Sequence, residues 1–217
     1  MFALNEVDLI GEEEWPSSSD VSDACDELAI DAARTGSLTA LWPGCPPVAG
    51  RLRTVRLEPA TAASPLVEII ELLAGAENML VLVDLAGRTD CQGWGEVLAT
   101  VARSFGVRGA LVNGGIRDVD ELQRLVFPTY ARSVFPGSAT GRLAVAGVDE
   151  SVDVDGAVID AGDFVVADGN GLVAFPFEQC RRVLDVAVAR RAAERDALNA
   201  VIEGADPREI FGKGESP

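Results

Sequence analysis

The feature that most constrains this chain's fold is a succession of elements between residues 78 and 125. "NMLVLVDLAG" (78–87) is an apolar, β-rich run, and "GWGEVLATVARSFGVRG" (93–109) then repeats apolar residues at helical spacing. "ALVN" (110–113) is a second apolar run, and a further helix begins with Arg117 and continues to Leu125. Strand, helix, strand, helix in that order implies parallel strands joined by crossover helices.

The rest of the chain can be placed around this unit. "SSSDVSDACDELAI" (17–30) opens with capping serines and an aspartate before Val21, Ala24, Cys25 and Leu28, which predicts a helix. "PPVAGRLRTVRLEP" (46–59) alternates apolar and arginine side chains, as a half-exposed strand does, and "PLVEIIELLAGA" (65–76) reads as a helix ending at Gly75. Between 130 and 176, short apolar runs are separated by Gly, Pro and Asp, with "DGNG" (168–171) a strong turn between two strands. A helix is expected from about 177 to 201, followed by a loose tail from about 204. With no internal repeat or low-complexity linker, the expectation is one α/β domain over residues 1–217, its β-rich layer packed on the βαβα unit.

Two compositional absences narrow the chemistry. The chain has no histidine, and its single lysine is Lys213 in "GKGESP". Schiff-base catalysis needs a buried lysine, and Ser-His-Asp or Cys-His catalysis needs an imidazole base, so these classes are excluded or poorly served. His-ligated zinc is excluded as well. Catalysis would have to rest on carboxylates, arginines, backbone amides, water or a hard metal ion. The net charge of −17 argues against nucleic acid as a partner, because phosphate backbones require clustered cations. Cys25, Cys45, Cys91 and Cys180 form no C-x-x-C pair, so they read as reduced thiols. The acidic start "MFALNEVDLIGEEEWP" lacks a signal peptide's basic and apolar regions, and no apolar run reaches membrane-spanning length. A cytoplasmic protein with no membrane association is the expectation.

In an open parallel sheet, both helix starts of the βαβα unit lie at one edge, where ligands bind. The first begins near Gly95, leaving the amides of Glu96, Val97 and Leu98 as free donors at the positive end of the helix. The second begins at Arg117-Asp118, so Glu96 and Asp118 would share a crevice with Arg117 between them. One arginine, two carboxylates and anion-binding amides suit a metal ion with a small carboxylic acid. Acidic residues in a helix's first turn are also ordinary complements of its dipole, and on spacing alone that is the commoner explanation. Gly114-Gly115 could likewise be a plain turn or room for a ligand.

The stretch "GEVLATVARSFGVRGALVNGGIRDVDEL" resembles the RraA-like family, in which an acidic residue, twenty intervening residues and Arg-Asp recur; here these are Glu96 and Arg117-Asp118. "SSDVSDACDEL", "VAGRLRTVRL", "GDFVVADGNGLVAFP" and the helix containing "RRAAERDAL" extend the likeness over nearly the whole chain. The family includes 4-hydroxy-4-methyl-2-oxoglutarate / 4-carboxy-4-hydroxy-2-oxoadipate aldolases and RraA regulators of ribonuclease E. The resemblance implies a swivelling-type α/β/β domain, assembled as a homotrimer with active sites between subunits. It implies Mg²⁺ or Mn²⁺ on Asp118, with Arg117 at the keto-acid end of a small 2-oxo acid. Gly95, Val97 and Leu98 would then hold the substrate carboxylate, with Glu96 in the acidic supporting position. Glu194 is the candidate for a glutamate supplied by a neighbouring subunit. The implied reaction is cleavage of 4-hydroxy-2-oxo acids to pyruvate, with oxaloacetate decarboxylation as a second activity; the alternative is a non-catalytic, protein-binding regulator of the RraA type. Glu96 and Asn113 stand where the aldolases and many relatives, respectively, have aspartate.

Overall fold

The computed structural model describes residues 15–61 and 64–212. The reading of residues 1–14 as lacking a leader, and Lys213, lie outside them. Among the described residues no helix is long and apolar enough to cross a membrane.

Alternation along the strands divides the interior. In β4 (Leu80–Asp84), Val81 and Val83 face one side, where they pack with α2 (Leu66–Ala74) and α3 (Glu96–Ser104). Leu80 and Leu82 face the other side and join Leu111, Tyr130, Val165, Ala167, Leu172 and Ala174. Period-two patterning repeats in the hairpin of β11 (Phe164–Asp168) and β12 (Gly171–Phe175). Their remaining residues, Phe164, Val166, Val173 and Phe175, pack against α1 (Ser18–Glu27) and α5 (Cys180–Ile202). A β-rich layer therefore packs on the βαβα part, as expected, and α1 and α5 cover its outer face.

One long strand links the two halves. β3 (Val48–Pro59) is antiparallel to β11 over Val48–Arg51, then parallel to β4 over Leu52–Arg56. Its far end pairs with β8 (Leu143–Val148). Beyond β4 the parallel series continues through β6 (Gly109–Ile116) to β7 (Thr129–Val134). The short β1 (Ala33–Thr35) and β2 (Thr39–Ala40) pair antiparallel with β12 and β7, and β9 (Val152–Val154) with β10 (Ala157–Ile159) makes a separate hairpin. The architecture is mixed α/β.

Three local expectations change. A three-residue strand, β5 (Gln92–Trp94), precedes α3 and runs parallel to the end of β6. Gly114-Gly115 is neither a turn nor room for a ligand. The pair lies inside β6, where a Cβ on Gly114 would stand 2.7 Å from the Leu85 Cβ and 2.9 Å from the Arg88 carbonyl oxygen. A Cβ on Gly115 would stand 2.5 Å from the Cys91 carbonyl oxygen. The two glycines thus admit the chain's own 85–91 loop. Finally, part of the expected loose tail is a short helix, α6 (Pro207–Phe211), capped by Asp206 through the Arg208 N–H.

None of the four cysteines is in a disulfide, and Cys25, Cys91 and Cys180 are buried. Burial pushes the Cys25 thiol up to about 11, so it stays protonated at neutral pH.

Candidate active site

The 85–91 loop and β5 bring the chain to Gly95, the N-cap of α3. β6 runs beside β5 in parallel and delivers Arg117-Asp118 immediately beyond Ile116. The Arg117 N–H donates to the Trp94 carbonyl at 3.0 Å, so the two chain ends are tied together at the carboxyl edge of the sheet.

Asp118 then does something an ordinary helix-start residue does not. It is the N-cap of α4 (Val119–Leu125), but its backbone is left-handed (φ 57°, ψ 42°) and its side chain makes no capping bond to α4. Asx residues tolerate this region better than most, though at some cost in free energy. The carboxylate instead reaches across to the other helix. Asp118 Oδ2 accepts the Glu96 N–H at 3.1 Å and faces the Arg117 Nε at 3.3 Å. Both side chains remain about one-third exposed. Asp118 Oδ1 has no hydrogen-bond partner among the described residues.

Glycine at position 95 is what permits this approach. A Cβ there would lie 2.7 Å from Asp118 Oδ2 and 3.1 Å from the Arg117 Cγ. The Val97 and Leu98 N–H groups follow, and among the described residues neither has an acceptor, as the first turn of a helix requires. The result is a cleft of about 110 Å³ at the start of α3, well below the roughly 300–1,000 Å³ of pockets for drug-sized ligands. Gly95, Val97, Leu98, Arg117 and Asp118 line one part of it.

The residues singled out from the sequence are therefore brought together unequally. Gly95, Val97, Leu98, Arg117 and Asp118 share the cleft. Glu96 is adjacent, but it meets Asp118 through its backbone N–H, and its exposed side chain is not part of the lining. Glu194 is exposed on α5, the helix that packs on α1 and the β11–β12 hairpin, so within one chain it belongs to a different layer.

Two further segments complete the cleft; of these only "SVFPGSATGR" (133–142) stands out in the sequence, as a departure from the segment usual in the family it resembles. The start of α2 supplies Ser64, Pro65, Leu66 and Ile69, and the loop between β7 and β8 supplies Ser138, Ala139 and Thr140. Gln92, on the unforeseen β5, joins them. "SVFPGSATGR" carried a signal in its turn-rich composition, but nothing in its spacing to Arg117 indicated the contact.

A hard divalent cation suits this donor set. The described residues contain no cluster of three or more acidic, thiol or imidazole groups that could hold a metal ion. Mg²⁺, by contrast, is commonly held by one or two carboxylates while waters and substrate complete its shell. Asp118 Oδ1 is a hard oxygen of that kind at the cleft.

The chain matches the RraA-like family model, described as Aldolase/RraA, over residues 18–174. It is 25% identical over 192 residues to the protein DlpA of Legionella pneumophila, covering 87% of this chain and 31% of that one; the chain thus spans about a third of DlpA's length. It is 25% identical over 154 residues to a Halalkalibacterium halodurans protein provisionally named a 4-hydroxy-4-methyl-2-oxoglutarate aldolase, covering 71% of each. The crystal structure of an uncharacterised Pseudomonas syringae pv. tomato protein is similar with a TM-score of 0.80 and 26% identity, covering 96% of this chain and 99% of that one.

Proposed function

The chain belongs to the RraA-like (Aldolase/RraA) family, and from that premise we propose that it is a divalent-metal-dependent lyase that cleaves 4-hydroxy-2-oxo acids to pyruvate. The observation that carries this reading is the orientation of Asp118. Its carboxylate turns away from its own helix and toward the start of α3, so that one free carboxylate oxygen, one guanidinium and two unpartnered amides border one small cleft.

Each group has a task in such a reaction. The Val97 and Leu98 N–H groups, at the positive end of α3, bind the substrate carboxylate. Arg117 orients the 2-oxo group and stabilises negative charge developing on its oxygen. Asp118 Oδ1 would hold Mg²⁺ or Mn²⁺, which when bound supplies Lewis-acid stabilisation of that same oxygen. In the cleavage, the 4-hydroxyl gives up its proton and C4 becomes a carbonyl. The C3–C4 electron pair passes toward C2, and C3 takes a proton to give pyruvate. With neither histidine nor a suitable lysine in the chain, carboxylates must organise the proton transfers. Glu194 from a neighbouring copy is the proposed further carboxylate, which makes a homotrimer with shared sites part of the proposal. Oxaloacetate would develop the same charge on losing CO₂, so its decarboxylation is the proposed second activity.

The test is pyruvate release from 4-hydroxy-2-oxo acids and from oxaloacetate, before and after chelation. Release that stops with a chelator and returns with Mg²⁺ or Mn²⁺ is expected. Absence of turnover throughout, or turnover indifferent to chelation, overturns the reading. The net charge of −17 favours a second reading, a non-catalytic regulator of the RraA type that binds a basic ribonuclease segment. That reading requires salt-sensitive association with such a segment and no turnover.

A further inference from the structure

A second polar cluster lies at the same carboxyl edge of the sheet, on the face turned away from α2 and α3. Alternation places Asp84 after Leu80 and Leu82 on β4, Asn113 after Leu111 on β6 and Arg132 after Tyr130 on β7. Asp84 and Asn113 are register partners, 5% and 1% exposed. The Asn113 Nδ2 donates to Asp84 Oδ1 at 2.7 Å and to the Asp153 carbonyl at 3.3 Å, while its Oδ1 accepts from the Arg132 Nε. Arg132 is held in turn by Asp155 at 2.8 Å. An arginine only donates and a carboxylate only accepts, so the amide at position 113 serves both neighbours in one orientation alone.

This cluster grips the turn that leads to the cleft. Asp84 Oδ1 also accepts the Ala86 N–H at 2.8 Å, and the Asn113 carbonyl accepts the Leu85 and Gly87 N–H groups at 3.0 and 3.1 Å. Residues 85–88 form a tight turn, closed by the Arg88 N–H on the Leu85 carbonyl at 3.1 Å, with positive φ at both Ala86 (52°) and Gly87 (74°). Alanine keeps such a backbone only where its surroundings hold it there. β5 and Gly95 follow directly along the chain. We propose that Asp84, Asn113 and Arg132 are positioning residues for the cleft: their hydrogen bonds fix the 85–88 turn, and through it the placement of Gly95 and the Val97 and Leu98 N–H groups against Asp118. For the ligand those amides bind, the proposal rests on the oxo-acid lyase reading above. The substrate carboxylate takes no part in the bond changes of the cleavage, so misaligned amides weaken ground state and transition state alike, which raises KM. A purely structural role has the opposite signature, since fewer folded molecules lower kcat and leave KM as it was.

Asn113→Asp keeps the side chain's size and its acceptor for Arg132 but loses the donor to Asp84. Arg132→Met removes the outer donor at a less buried position, so either variant can carry the test if the other does not fold. Asp84→Asn keeps one carbonyl oxygen able to accept both the Ala86 and Asn113 N–H groups, and is the conservative control. Initial rates on 4-hydroxy-2-oxo acids with Mg²⁺ should give a KM about tenfold higher for Asn113→Asp and Arg132→Met with kcat little changed, and a KM close to wild type for Asp84→Asn. Hydrogen exchange of the unliganded protein, followed by mass spectrometry, reads the turn without turnover: peptides covering 85–95 should exchange faster in the first two variants and those of the β11–β12 hairpin should not. Wild-type exchange across 85–95, an unchanged KM, or an Asp84→Asn variant as impaired as Asn113→Asp overturns the inference and leaves the lyase reading standing. Absence of pyruvate release by the wild type overturns the lyase reading instead. Exchange across 85–95 then decides the inference by itself, faster exchange sustaining it and wild-type exchange overturning it.

Discussion

Asp118 occupies a position that composition statistics would assign to helix capping, and its conformation shows why that assignment misses its role. The left-handed backbone turns the carboxylate out of reach of the α4 amides and into reach of Glu96 N–H, 3.1 Å away on another helix. The juxtaposition depends on the hydrogen atom of Gly95. Gly95→Ala would push a methyl group to within 2.7 Å of Asp118 Oδ2. We expect it to lower kcat/KM by about 10- to 100-fold, since misplacement by about 1 Å suffices for that. A urea titration should show only a small loss of stability, about 1 kcal/mol. Loss of activity only in proportion to unfolded protein would contradict this. Arg117→Lys keeps the charge and loses the planar fork, so KM for the oxo acid should rise by about tenfold or more, measured by initial rates. At this scale the shared edge of Glu96 and Arg117-Asp118 was legible from the order of strands and helices, because parallel strands force both helix starts to one edge, whereas spacing alone favoured ordinary helix-start residues. That the Glu96 amide rather than its carboxylate makes the contact was not legible, because backbone direction at a left-handed residue leaves no trace in residue type.

The elements around the site show the same division. Apolar periodicity located β3, β4, α2, α3 and the β11–β12 hairpin, because each buries one face over several residues. β5 escaped because three residues are too few to show a period, and its register shifts against β6 between Gln92 and Trp94. The glycine pair of β6 read as a turn because local rules cannot see the carbonyls of Arg88 and Cys91 pressed against it. Gly115→Ala should destabilise the fold by about 1–3 kcal/mol, measured as a lower urea midpoint, because a buried backbone carbonyl must move. Ion pairing between elements gives a pH-dependent term. The Arg53 guanidinium, hydrogen-bonded to Asp149, holds that carboxyl below the usual carboxylate range. A depressed folded-state value stabilises above the ordinary carboxylate value and is lost as pH falls through the folded one. Asp149 is 43% exposed, so Asp149→Asn should cost less than about 1 kcal/mol at pH 7, and the difference should vanish in acid. Chemical denaturation at both pH values measures it.

At the scale of the whole molecule, the α1–α5 layer leaves Glu194 exposed on α5, away from the cleft of its own chain. If neighbouring copies complete the site, light scattering should give the mass of three chains. Mixing Glu194→Gln chains with Arg117→Ala chains should then restore activity that neither has alone, because some sites receive both intact residues. A monomer, or mixtures without restored activity, would contradict shared sites. The missing histidine acts at this scale too, since it withholds the commonest general base from every site the chain can build. The account's central claim is that Asp118 is the metal-holding carboxylate of an oxo-acid lyase. Its most direct measurement is Mg²⁺-dependent pyruvate release by the wild type and by Asp118→Asn, with folding verified by circular dichroism. The account predicts a loss of at least about a hundredfold in kcat/KM in the folded variant, as expected when a group stabilising developing charge is removed; undiminished release by Asp118→Asn would contradict it.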